Sequence, residues 1–236
     1  MNLNLNLVFH KIVLTDSEIN SPYTITLNHF ITLKHTLIEI FYHKNPRFNK
    51  INFYFDDNYS SFQKYISPIF NDEPINYILA TPTAFIDKDG YMSKNTLSSL
   101  NKTKIKIVPH GVSHSALCIY KNNHLLDTES GGLYINQPYG KNRSLTEKEV
   151  EYQLIESKKQ LELIGIKDIE EFVLPYGLYN EQTIKINKKQ SKYKYISTCD
   201  EFLDSGELLK PRLLITNTKS ILELNNQIKQ LNSRIS

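Results

Sequence analysis

Ile51-Asn52-Phe53-Tyr54-Phe55 runs without interruption into Asp56-Asp57-Asn58. The first five residues alternate and are rich in β-formers, which predicts a strand. Two carboxylates and an amide do not continue a buried strand, so they mark its C-terminal end. The same junction recurs along the chain. Ile105-Lys106-Ile107-Val108-Pro109 runs into His110, with His114 four residues later; Phe172-Val173-Leu174 runs into Pro175-Tyr176-Gly177; and Leu7-Val8-Phe9 runs into His10. Four apolar runs therefore each deliver groups capable of chemistry at the same end.

Outward from these junctions, strands are predicted at residues 5–13, 51–56, 77–81, 105–109, 172–175, 193–199 and 213–216. Helical patterns lie between them near 28–43, 60–70, 93–100, 146–164, 181–190 and 220–235. The helix after Thr146 has the clearest signature. Thr146 and Glu149 form a capping box, Val150, Leu154, Leu161 and Ile164 share one face, and Gly165 can end it. Alternating strands and helices imply parallel pairing with right-handed crossovers. The expected fold class is α/β: a distorted (β/α) barrel of about seven parallel strands, in one domain spanning residues 1–236. An open three-layer sheet is the alternative that periodicity leaves standing. In a barrel, the C-terminal strand ends form one rim, where the active site sits.

Composition narrows the function classes. Of 236 residues, 40% are hydrophobic and 22% charged, a globular balance, and 28 basic against 25 acidic residues leave a net charge of +3. The lysines are spread along the chain, so this balance points to no nucleic-acid or membrane partner. Two cysteines, Cys118 and Cys199, show no CxxC spacing and suggest neither a disulfide framework nor a thiolate zinc site. The N-terminus lacks a basic leader and no apolar run is long enough to span a bilayer, which gives a cytoplasmic expectation. Oligomeric state is not legible. Residues 127–143 form a long irregular stretch with Gly131-Gly132 and Pro138-Tyr139-Gly140; a lid over the site and a tolerated surface insertion are both consistent with it.

One carboxylate and two imidazoles make a three-ligand metal site with an open position for water. A metal there lowers the pKa of that water toward ~7 and polarises a carbonyl. A second carboxylate beside it can act as general base. Adjacent Asp56 and Asp57 suit this division, because successive side chains on extended backbone point in different directions. An oxyanion donor and an acid for the leaving amine complete amide hydrolysis.

At these residues the sequence resembles the NodB-like polysaccharide deacetylases, carbohydrate esterase family four. Their TFDDG-like first motif stands here as Tyr54-Phe55-Asp56-Asp57-Asn58, and their HxxxH motif as His110-Gly111-Val112-Ser113-His114. Their Arg-x-Pro-Tyr motif is partly matched by Val173-Leu174-Pro175-Tyr176. The resemblance spans roughly residues 5 to 217. It is nearest to the poly-N-acetylglucosamine deacetylase branch, through Phe9-His10, Tyr23-Thr24-Ile25-Thr26, His29-Phe30 and Pro211-Arg212. It implies Asp56 as general base, Asp57, His110 and His114 as metal ligands, and the Tyr176 backbone N–H in an oxyanion hole. It also implies His10 as the acid, since no histidine follows His124. Pro175, Tyr59 and Arg212 are the expected substrate contacts, and Tyr139 and Tyr179 are further rim tyrosines that could stack on a sugar.

Three departures stand out. Asn58 replaces a glycine, Val173 replaces the arginine that orients the base, and the C-terminal histidine is absent. Arg212 or Asp200 could restore the base-orienting network, although Arg212 falls near the start of its predicted strand. The resemblance implies a divalent cation, zinc by default with cobalt or nickel compatible, and an N-acetylated saccharide substrate. The alternatives are a deformylase or other C–N hydrolase of the same fold, or a carbohydrate-binding relative without turnover.

Overall fold

The computed structural model describes residues 3–39, 48–69, 75–100, 105–118, 120–121, 124–125, 145–200 and 207–233. Residues 127–143, with Tyr139, lie outside them. β1 (Leu3–Phe9) leads through His10 to β2 (Lys11–Val13), β3 (Thr24–Thr26) and α1 (Leu27–Glu39). β4 (Phe48–Phe55), β5 (Ile75–Thr81), α2 (Lys94–Ser99) and β6 (Ile105–Pro109) follow. A ribbon of β7 (Tyr120–Lys121) and β8 (His124–Leu125) precedes α3 (Glu147–Leu163), β9 (Glu171–Val173), α4 (Glu181–Ile186) and β10 (Tyr195–Ser197). β11 (Leu209–Lys210), β12 (Leu213–Leu214) and α5 (Ile221–Ser233) end the described chain.

Five parallel strands pair in the order β12-β1-β4-β5-β6 and three more in the order β11-β10-β9. The two sheets close around one interior. Val8, Tyr54, Ile78, Ala80 and Val108 of the first pack with Val173 of the second, and the Tyr54 hydroxyl crosses to Glu171 (2.7 Å). β11 passes to β12 through Pro211-Arg212. The result is the distorted β/α barrel, with the short β11 added to the seven strands predicted.

Strand alternation sorts the core into two layers. Inward residues fill the barrel, while Leu5, Leu7, Phe9, Phe53, Phe55 and Leu79 face out into a larger cluster shared with the helices. Phe9, Phe30, Phe53, Phe55 and Phe62 interlock there, at ring separations of 4.8–5.9 Å. Each such ring contributes about 1.5–3 kcal/mol relative to exposure.

Three predicted elements differ. The 5–13 strand is broken at His10: the Asp56 N–H takes the Phe9 carbonyl (2.9 Å), ending the ladder, and β2 pairs separately with β3. Of the helix expected at 60–70, residues 60–69 do not form an α-helix, and Phe70 lies outside the described residues. A π turn at Phe62–Ile66 buries Phe62 and Ile66, then a 3-10 turn runs through Ser67–Ile69, where Pro68 has no N–H to extend the helix. The 181–190 helix is regular to Ile186 and continues as a π turn over Asn187–Ser191. The α3 prediction matches: Glu149 N–H donates to Thr146 Oγ1 (3.3 Å), Thr146 N–H donates back to Glu149 Oε2 (2.9 Å), and Gly165 takes φ 86° after the helix.

Candidate active site

Asp56 and Asp57 follow β4, His110 follows β6, Tyr176 follows β9 and His10 follows β1, so all five stand at the C-terminal rim. They open on a cleft of about 660 Å³ whose lining also includes Tyr23, Tyr59, Phe85, Tyr91, Cys199 and Arg212.

The turn after β4 is strained. Asp57 (φ 73°) and Asn58 (φ 62°) both occupy the left-handed region, at roughly 1 kcal/mol each. Asn58, in the place of the family glycine, is buried, and its Nδ2 donates to the Met92 carbonyl (3.2 Å). The second ligand loop is pinned from outside. Gln153 Oε1 on α3 accepts from the backbone N–H groups of Val112 (2.8 Å) and Ser113 (3.1 Å), and His114 sits at φ 55°. Gln153 was not among the expected residues. Its signal was a polar side chain at the buried spacing between Val150 and Leu154.

Asp57, His110 and His114 bring one ligand atom each to within 4.8 Å of one another. His110 Nδ1 lies 2.8 Å from the Val173 carbonyl. A carbonyl only accepts, so Nδ1 carries the proton and Nε2 presents a lone pair. That Nε2 is 3.7 Å from Asp57 Oδ1, and His114 Nε2 is 3.2 Å from the same oxygen. Burial lowers both histidines to about 4, leaving them neutral near pH 7. Burial also raises the Asp57 carboxyl, against the opposing pull of His10 and His110. Asp57 Oδ1 is buried and has no hydrogen-bond partner. A carboxylate oxygen and an imidazole lone pair converging in low dielectric repel one another unless a cation lies between them. The residues present therefore fit a divalent metal.

Asp56 is held differently. Arg212 Nη1 donates to both of its oxygens (2.9 and 3.0 Å), while Arg212 Nε donates to the Thr198 carbonyl (3.1 Å). Burial pushes the Asp56 carboxyl up, but Arg212, then His110 and His10, outweigh it and hold the group below its ordinary value. The position of Arg212 needs a correction. Although it precedes β12, that strand is short and set high: Leu213 pairs with Leu7 near the end of β1, and Asn6 Nδ2 fixes the Pro211 carbonyl (2.9 Å). The guanidinium thus enters beneath the rim and engages Asp56, while Val173 packs inside the barrel. Arg212 was expected to touch substrate; its side chain is buried and engaged by Asp56. Pro175, also expected at the substrate, is buried and packs toward Gly111 instead of lining the cleft. Asp200 accepts from the Tyr179 hydroxyl (3.0 Å), with no bond to Asp56.

The remaining residues shape the walls. His10 has a buried Nδ1 without a partner, and its ring is 5.1 Å from that of Tyr23. Tyr59 stacks on Tyr91 at 5.3 Å. Tyr176 holds φ 60° with its ring exposed and 4.8 Å from His114. Gly177 permits the close approach of β10: a Cβ there would fall 2.6 Å from Cys199 Cβ. Burial raises the Cys199 thiol, which disfavours a thiolate nucleophile.

No helix among the described residues is long and apolar enough to cross a membrane. By structure, the chain resembles a de-N-acetylase from Aggregatibacter actinomycetemcomitans (TM-score 0.71, 17% identity, 96% of this chain and 100% of that one). It also resembles a polysaccharide deacetylase from Bacillus cereus (0.69, 16%, 96% and 69%) and IcaB from Ammonifex degensii (0.66, 13%, 96% and 97%). At such identities these likenesses establish the fold. Comparison by sequence with curated proteins finds no match. The family model described as polysaccharide deacetylase matches residues 43–196, from before β4 into β10 and across the turns that carry Asp56, Asp57, His110 and His114, and the chain belongs to that family.

Proposed function

We propose that the chain acts as one catalytic domain that hydrolyses the amide of an N-acetylated sugar, polymeric or carrier-linked, with a divalent cation, zinc by default, held by Asp57, His110 and His114. The observation that carries this reading is the pairing of the ligand trio with a separate carboxylate, Asp56, fixed by Arg212. A cation at the trio supplies Lewis acidity, acidifying a water and polarising the amide carbonyl. Asp56, kept ionised by Arg212, takes the proton of the attacking water. The backbone N–H of Tyr176 donates to the oxyanion that develops. His10 gives a proton to the leaving amine, and Tyr59 lies where it can pack against the sugar.

The test is acetate release from N-acetylglucosamine oligomers by zinc-loaded protein, stopped by chelation. Asp56→Asn should lower turnover by roughly 10²–10⁴-fold while the bound metal persists. A metal-loaded protein that releases neither acetate nor formate from any acylated aminosugar would refute the reaction class.

A further inference from the structure

The overall charge balance conceals a local arrangement. Lys185, Lys188 and Lys189 lie along α4 and its π turn, Lys192 follows in the left-handed conformation that ends it (φ 53°), and all four are exposed. The opposite face is buried through Thr183, Ile186, Asn187 and Ser191. Asn187 locks the turn from inside: its Oδ1 accepts from Tyr193 N–H (2.9 Å) and Ser191 Oγ (3.0 Å), and its Nδ2 donates to the Tyr193 carbonyl (3.0 Å). The lysines are thus presented on a fixed scaffold. Among the described residues none of the four forms an ion pair.

A cleft of about 590 Å³ opens on the same face, lined by Tyr179, Asn180, Glu181, Ile184, Lys185, Lys188 and Lys189. Glu181 is its one carboxylate against three ammonium groups. Tyr179 and Ile184 give it apolar, half-buried walls. The Tyr179 hydroxyl donates to Asp200 (3.0 Å), the neighbour of the cleft-lining Cys199, so the Tyr179 end of the patch adjoins the active-site rim.

We propose that this lysine face docks on an anionic lipid bilayer, with the ammonium groups at the headgroups and the cleft of Tyr179 and Ile184 against the interfacial layer. Charge complementarity selects an anionic surface, and the apolar walls favour a bilayer over a soluble polyanion, which has no apolar layer to offer them. Docking here would bring the neighbouring rim close to the membrane surface.

The test is cosedimentation of the full chain with phosphatidylcholine vesicles and with vesicles in which about one third of the lipid is phosphatidylglycerol. Binding is expected to the anionic vesicles alone and to weaken with salt. At roughly fivefold per neutralised lysine, K185E/K188E/K189E should lower partitioning by at least about a hundredfold, with circular dichroism and thermal unfolding unchanged. If charge reversal disturbs folding, K185Q/K188Q/K189Q makes the same comparison. Equal binding to both vesicles, binding to neither, or undiminished binding by a folded variant would overturn the proposal. So would tighter binding to dextran sulfate than to anionic vesicles at equal anionic charge.

Discussion

Replacing Arg212 by methionine keeps much of the side chain's volume but removes the partner of a buried carboxylate. Arg212 is 1% exposed and Asp56 is 4% exposed, and the pair is closed at 2.9 and 3.0 Å. Removing one member of such a pair strands the other charge and costs about 3–5 kcal/mol. At roughly 2–4 °C per kcal/mol for a chain of this size, the midpoint of unfolding should fall by about 6–20 °C. Asp56→Asn should also destabilise, because it leaves the guanidinium without a counter-charge. The double variant should recover much of the combined loss, since no charge is then stranded, with a coupling of at least about 2 kcal/mol. Urea unfolding of the three variants in chelated buffer provides the measurement and keeps metal binding out of the cycle. Costs that add to within about 0.5 kcal/mol would show that the two groups are independent. Arg212 would then have no claim to hold Asp56 in place.

Zinc should raise the unfolding midpoint of the wild-type chain in a concentration-dependent way, because it binds the folded state. Asp57→Asn should abolish that rise, and a variant that still responds fully would move the site elsewhere. Gln153→Leu should cost about 2–4 kcal/mol in urea unfolding, since it orphans the Val112 and Ser113 N–H groups, and should weaken zinc binding; unchanged binding would detach α3 from the site. Gly177→Ala should destabilise far more than Gly90→Ala, because both have positive φ (70° and 81°) but the first Cβ meets Cys199 at 2.6 Å and the second meets nothing within 4 Å. Equal effects in thermal melts would leave backbone strain as the whole cost. Glu171 is pushed up by burial but pulled down further by Lys210, Ser197 and Tyr54, to a net value below the ordinary one. Its contribution to stability is therefore present above the unfolded pKa of about 4.3 and lost as pH falls through the lower folded value. Glu171→Gln should flatten the stability profile below about pH 4.5, and an unchanged slope there would contradict the assignment.

The parallel α/β architecture was legible because its evidence is periodic, whereas closure into a barrel depends on pairing that periodicity does not report. Alternation in residues 51–55 and 105–109 reports which face is buried, and Thr146 with Glu149 announces a helix start by local hydrogen bonding. The turns that carry Asp56, Asp57 and His110 were legible because these residues interrupt apolar runs at the point where a strand must end. What escaped depends on offsets between distant segments. The height at which β12 pairs with β1 decides that Arg212 reaches Asp56, and no local pattern encodes that height. Gln153 acts across 40 residues of chain on two backbone groups, and backbone partners leave no mark on the sequence. The break at Pro68 was readable in principle, but the apolar spacing of Phe62 and Ile66 is the same in a π turn and an α-helix.

Among the described residues, four of the seven non-glycine positions at positive φ share a location, and that bears on how the site works. Asp57, Asn58, His114 and Tyr176 are all non-glycine residues at positive φ, and all belong to the three turns that surround the cleft. Their combined backbone cost is several kcal/mol at roughly 1 kcal/mol each. The convergence of Asp57 Oδ1 with the lone pair of His110 Nε2 adds electrostatic repulsion to it. Relaxing the turn at Asp57 and Asn58, or the one at His114, would turn a donor atom away from the other two. A cation bound by all three atoms favours the strained arrangement over the relaxed one by its binding free energy, so metal affinity and turn strain are linked quantities. Glycine at Asn58 would lower the strain without moving Asp57. It should therefore tighten zinc binding in the chain that now carries asparagine there, provided the lost bond to the Met92 carbonyl costs less than the φ it relieves.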